Sequence, residues 1–152
     1  MKKYILTIDQ GTTSTRAILF DHKANTIGIY QMEFTQICPK SGYVEHNADE
    51  IYQTVLECIK NVIINASIEP EEIDSIAITN QRETTVAFGF DGHPLANAIC
   101  WQSRQSQKIC DDLIARGYED MIYQKTGLHI NPYFSASKIC LLYTSPSPRD
   151  TR

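Results

Sequence analysis

The sequence predicts an α/β fold, a mixed sheet with flanking helices. Three observations carry this. The first forty residues hold three short β-rich runs joined by turn-like connections. An amphipathic helical pattern follows them, and a further β-rich run follows the helix. A strand added parallel to an antiparallel meander needs a helical crossover, and this helix supplies one.

Residues 4–8 (YILTI) read as the first strand, rich in β-branched and aromatic side chains. Residues 16–20 (RAILF) read as the second and end at a turn over residues 21–25. The third spans 26–34, with Gly28, Tyr30, Met32 and Phe34 on one face and Ile27, Ile29, Gln31 and Glu33 on the other. The stretch 39–42 breaks the pattern. Asn47 followed by Glu50 resembles a capping box. Ile51, Val55, Ile59, Val62, Ile63 and Ala66 then recur at helical spacing. After Pro70, SIAIT (75–79) predicts a fourth strand and TTVAF (84–88) a fifth. Phe90-Asp91-Gly92-His93 supplies a hairpin turn, and residues 98–101 a short sixth strand. Two helices close the pattern, one over 103–115 stopping at Gly117 and one over 118–125 stopping at Gly127. The order of three meandering strands, a helix and a strand is that of a ribonuclease-H-like core.

Bulk composition narrows the function classes. The 152 residues suffice for one domain with a proper core. The net charge of -4 argues against a nucleic-acid partner, which a basic face would mark. No apolar run approaches the roughly 18 residues that span a bilayer. The apolar stretch after Met1-Lys2-Lys3 meets Asp9 too soon to serve as a signal peptide. Cys38, Cys58, Cys100, Cys110 and Cys140 are odd in number and scattered, which suggests neither a disulfide frame nor a zinc site. Reduced thiols in a cytoplasmic protein are expected.

The chemistry concentrates in IDQGTTSTR (8–16). A carboxylate, Asp9, ends a strand; Gly11 follows, then Thr12, Thr13, Ser14 and Thr15, then Arg16. Gly11 permits positive φ and close approach of an anion. Successive N–H groups and hydroxyls can cradle phosphate oxygens, Asp9 can hold a divalent ion through water, and Arg16 supplies a fixed positive charge. The spacing is not that of a P-loop. A Ser/Thr-rich hairpin turn with Asp9 bonded to backbone amides explains the spacing equally well.

The stretch 9–16 resembles the phosphate loop that opens FGGY-family carbohydrate kinases, in particular those acting on glycerol. Four more segments match in order: GYVEHNADEI (42–51), ITNQRETT (78–85), NAICWQSRQS (97–106) and KTGLHINPYFSASK (125–138). Together they cover residues 4 to about 140. The resemblance implies an actin-like ATPase superfamily N-terminal domain, present in part, with ATP and Mg as cofactors. It implies nucleotide-phosphate contacts at Thr12, Thr13, Ser14 and Arg16, and Mg held near Asp9 through water. It implies glycerol contacts at Arg82, Glu83 and Tyr133, with Trp101 as an aromatic wall. A small triol is selected by fixed donors and acceptors, which Arg, Glu and Tyr provide. Taken alone, Arg82–Glu83 reads as a surface pair, Trp101 and Tyr133 as core, and His46 as a loop or capping residue.

Three departures from the family pattern stand out: Tyr43 for a Trp, Asn131 for an Asp, and a turn over 88–93 one residue shorter. The match stops near Cys140, where LLYTSPSPRDTR begins. Two closely spaced prolines oppose a helix interior, so residues 141–152 are expected to be a foreign or disordered tail after a partial kinase domain over 1–140. The family's catalytic aspartate falls beyond this chain. The expectation is ATP-dependent phosphorylation of glycerol to sn-glycerol 3-phosphate by a longer, homo-oligomeric parent, with this chain inactive. Another FGGY sugar kinase, or a non-catalytic polyol-binding module, are the alternatives.

Overall fold

The computed structural model describes residues 3–144, which form two compact units. The first contains residues up to Gln36 together with His46–Gln81. In it β1 (Tyr4–Gln10), β2 (Ser14–Asp21) and β3 (Thr26–Glu33) make the expected antiparallel meander. The chain leaves the unit and re-enters through β4 (Glu45–His46), then runs through α1 (Ala48–Ala66) and a 3-10 turn, Pro70–Glu72. It ends in β5 (Ile73–Thr79), parallel to β1, so the sheet order is β3-β2-β1-β5. The crossover therefore lands where the sequence pattern places it.

Strand periodicity sorts the side chains. Leu6 and Ile8 of β1, and Thr15, Ala17 and Leu19 of β2, are all buried. Leu6, Ala17 and Leu19 form one core with Cys58 and Val62 of α1. On α1 the buried residues are Thr54, Cys58 and Val62, spaced four apart on one stripe. Each such aliphatic side chain contributes roughly 1.5–3 kcal/mol on burial. The opposite sheet face carries Asp9, Arg16 and Gln31.

The start of α1 is half the expected capping box. Asn47 Oδ1 accepts from the N–H groups of Asp49 and Glu50, at 2.9 and 3.2 Å. Glu50 does not complete the box. Its Oε1 accepts instead from Thr35 N and Thr35 Oγ1, both at 2.9 Å, satisfying donors just past β3.

The second unit contains Ile37–Glu45 and the residues from Arg82 onward. Its short strand β6 (Ala98–Ile99) pairs with β4. The strand expected over 84–88 is replaced by isolated bridges, Thr85↔Ile99 and Phe88↔Pro94. A two-residue partner such as β6 cannot support a longer ladder. The Asp-Gly turn forms as expected, with Gly89 N donating to His93 O at 2.8 Å and Leu95 N to Ala87 O at 2.9 Å.

Helix α2 (Gln107–Ala115) begins four residues later than its pattern suggests, because 103–106 is used otherwise. Ser103 Oγ accepts from Val44 N at 3.1 Å, and Ser106 Oγ bonds Ser137 Oγ at 2.8 Å. Helix α3 (Glu119–Thr126) ends at Gly127, and α4 (Ser135–Thr144) follows. The tail expected from residue 141 thus starts inside the last turn of α4, and its residues 145–152 lie outside the described ones. No helix among the described residues is long and apolar enough to cross a membrane.

Candidate functional sites

The loop between β1 and β2 belongs to the first unit. Gly11 N donates to Ser14 O at 2.9 Å, which folds residues 11–14 into a tight turn. Gly11 does not take the positive φ that its position suggested. Its role is space: a Cβ there would lie 3.1 Å from Ser14 O. The carbonyls along the loop are turned toward protein donors. Gln10 Nε2 donates to Gly11 O at 2.7 Å, Gln36 Nε2 to Thr12 O at 3.1 Å, and Phe34 N to Thr13 O at 3.3 Å. A loop whose carbonyls point away in this manner presents no carbonyl lone pairs to an approaching anion.

The four consecutive hydroxyls divide by strand parity. Thr15 is fully buried and bonds Thr54 Oγ1 of α1 at 2.8 Å, so it anchors the loop. Thr12 and Ser14 are partly exposed and Thr13 is exposed. Ser14 Oγ accepts from Gln31 Nε2 at 2.9 Å, and Gln31 Oε1 accepts from Arg16 Nε at 3.0 Å. Register places Asp9 opposite Arg16, and Arg16 opposite Gln31. Directly opposed residues share a sheet face, so a carboxylate and a guanidinium stand side by side beneath the loop. This donor set fits a magnesium–triphosphate group: an open turn lacking a Cβ, exposed hydroxyls, one carboxylate and one fixed cation.

His46 is fully buried, more than a capping role requires. Its Nε2 bonds Gln36 Oε1 at 2.9 Å, and its ring meets Phe34 edge-on at 5.1 Å. Gln36 uses its NH2 group on Thr12 O, so the His46 Nε2–H donates and the ring is the Nε2 tautomer. Burial holds its pKa below the ordinary histidine value, with Glu50 opposing weakly. A neutral histidine, a glutamine and the loop carbonyl thus form one chain. Gln36 and this use of His46 were not read from the sequence, since the contacts join residues 10 to 24 positions apart.

In the second unit, Arg82 is exposed and Glu83 half-buried. Glu83 adopts φ of 66°, a left-handed conformation that a non-glycine residue holds only where its surroundings enforce it. Those surroundings are the first turn of α4. Glu83 Oε2 accepts from both Ser135 N and Ser135 Oγ at 2.7 Å, leaving Oε1 for another donor. The Ser135 bonds hold the Glu83 carboxyl below the usual range against desolvation, with the charges of Lys138 and Arg82 adding to them.

Tyr133, just before α4, stands edge-on to Trp101 at 5.7 Å and to Phe134 at 5.1 Å. Tyr133 is 36% exposed, which leaves its ring accessible at this edge. The structure therefore gathers Glu83, Trp101 and Tyr133 around the start of α4. Asn131, where the family pattern has Asp, accepts from Tyr133 N through Oδ1 at 2.8 Å. An amide oxygen makes that bond as a carboxylate would, so the exchange preserves the turn.

A mixed sheet of order β3-β2-β1-β5, with a hydroxyl-rich turn between its first two strands and a separate aromatic–carboxylate cluster, defines an N-terminal domain of the actin-like kinase class. Residues 4–146 match the model of the FGGY family of carbohydrate kinases, N-terminal domain. The chain belongs to this family. It is 54% identical over 139 residues to a glycerol kinase of Desulforamulus reducens, and 54% identical over 140 residues to one of Geobacillus kaustophilus. Each alignment covers 91% of this chain and 28% of the relative, so the chain spans little more than a quarter of their length. Among solved structures it is similar to Plasmodium falciparum glycerol kinase with ADP, at TM-score 0.85 and 31% identity, over 97% of this chain and 30% of that one. It is also similar to gluconate kinase from Lactobacillus acidophilus, at TM-score 0.87 and 26% identity, over 100% of this chain and 30% of the other.

Proposed function

We propose that the longer protein of which this chain forms the N-terminal part transfers a phosphoryl group from ATP to glycerol, giving sn-glycerol 3-phosphate. The observation that carries this reading is the 54% identity to glycerol kinases over nine-tenths of the chain. When bound, ATP supplies the phosphoryl group and Mg screens its charge. Thr12, Thr13 and Ser14 hold the phosphates, Arg16 balances their charge, and Asp9 orients the ion through water. Arg82 donates to glycerol hydroxyls, Glu83 Oε1 accepts from one, and the Tyr133 hydroxyl does either. Trp101 packs against the carbon chain and excludes water.

This chain assigns no group to the proton that leaves the attacking hydroxyl. By the family resemblance, an aspartate further along the longer protein takes it. The 152-residue chain alone is therefore expected to be inactive. The homo-oligomeric state and cytoplasmic location belong to the same proposal. The test is an ATP-consumption assay of the full-length gene product with glycerol and a panel of pentuloses. Turnover with glycerol at far the highest kcat/KM supports the reading. Preference for a pentulose, or no turnover with any polyol, refutes it.

A further inference from the structure

The feature that the proposed chemistry leaves unexplained is Lys138. It closes the first turn of α4, is fully buried, and is the largest fully buried side chain among the described residues. An ammonium ion is costly to remove from water unless its protons are taken up. Two of them go to consecutive carbonyls, Pro132 O at 2.5 Å and Tyr133 O at 2.7 Å. Both carbonyls precede the first residue of α4 and receive no bond from that helix's own ladder. Burial lowers the lysine pKa, while Glu83 opposes that shift.

The surroundings of Tyr133 are fixed one group at a time. Its N–H is held by Asn131 Oδ1, its carbonyl by Lys138, and the next turn by Glu83 through Ser135. Phe134 O accepts from Ser137 Oγ at 3.2 Å. The only freedom left to Tyr133 is rotation of its own side chain, and the Trp101 and Phe134 edges limit that. A methionine would fill the same volume without burying a charge, but it could not bind two carbonyls.

We propose that Lys138 is a positioning residue: its buried ammonium clamps the Pro132 and Tyr133 carbonyls and thereby sets the Tyr133 ring edge-on to Trp101, in the geometry used to receive the polyol. The polyol clause rests on the function proposed above; the clamp does not.

Trp101 is the sole tryptophan, so its fluorescence reports this one place. The experiment compares the full 152-residue chain with Lys138→Met, Lys138→Arg, Tyr133→Leu and the double variant Lys138→Met/Tyr133→Leu. Acrylamide quenching, emission maximum, and near- and far-UV circular dichroism are recorded for each. Lys138→Met is expected to keep the far-UV spectrum, lose the near-UV aromatic band, shift Trp101 emission to the red and quench as readily as Tyr133→Leu. The double variant is expected to add nothing to Tyr133→Leu, and Lys138→Arg, which keeps the donors, to stay nearer wild type. Wild-type quenching in Lys138→Met overturns the proposal. So do additive effects in the double variant, or loss of the far-UV spectrum, which would make Lys138 a general fold residue. The readout needs no glycerol. Failure of the substrate assay therefore leaves the clamp standing, and failure of the clamp leaves the substrate assay untouched.

Discussion

Thr15 and Thr54 make a pair whose two deletions should not be equal. Both are buried, at 0% and 5% exposure, and their hydroxyls lie 2.8 Å apart. Thr54 Oγ1 also lies 2.7 Å from Ile51 O, an acceptor with no proton of its own. A hydroxyl has one proton, so Thr54 donates to Ile51 and Thr15 donates to Thr54. In Thr15→Val, Thr54 keeps its acceptor and only the shared bond is lost, a cost of about 1 kcal/mol. In Thr54→Val, the Thr15 hydroxyl is left buried without an acceptor, a cost of about 1–3 kcal/mol. Valine is nearly the shape of threonine, so the double variant removes both polar groups cleanly and should be close to neutral. It should therefore lie roughly 2–4 kcal/mol below the sum of the singles. The assay is urea unfolding of the four chains followed by far-UV circular dichroism at constant m-value. Additive singles, or Thr15→Val costing more than Thr54→Val, would refute the assigned proton direction. The result also bears on function, since it separates the anchoring hydroxyl of the loop from those proposed to meet phosphate.

The folded chain holds His46 neutral by burial, so the unfolded chain takes up the proton first. Stability is complete above the ordinary histidine value of about 6.5 and declines as pH falls below it. Urea midpoints should drop between about pH 7.5 and about pH 5.5, and His46→Gln should flatten that drop; an unchanged slope would contradict it. Glu83, held low by Ser135, contributes stability above the ordinary glutamate value that is lost as pH falls through its lowered one. Glu83→Gln should cost about 1 kcal/mol at neutral pH by weakening two charge-assisted bonds, measured as a lower Tm. Gly127 ends α3 with φ of 73°, and a Cβ there would meet nothing within 4 Å. Gly127→Ala should therefore cost only backbone strain, about 1 kcal/mol, and Gly127→Asn less; equal loss in both by thermal melting would be inconsistent with a purely conformational origin.

The sequence alone determined the elements whose signal is local. The meander, α1 with its Asn47 cap, the hairpin turn and the glycine helix stops all depend on periodicity or on neighbours a few positions away. The stretch 9–16 stood out as a contiguous run, whereas Arg82, Glu83, Trp101 and Tyr133 were named as candidates only through the family resemblance. Tertiary structure decided everything that depends on a distant partner. Glu50 leaves its capping box for Thr35. The run 84–88 fails as a strand because β6 offers it only two residues. Thr15 turns inward and is withdrawn from the hydroxyl set by strand parity and by Thr54. Glu83 is strained and held by a serine 52 positions away. Lys138, which carried no reading of its own in the sequence, is buried and bonds the Pro132 and Tyr133 carbonyls. The physical reason is common to all of these. Propensity and periodicity act over a turn or a strand. A buried donor or acceptor must find its partner wherever the chain returns, and that point is set only when the whole fold has closed.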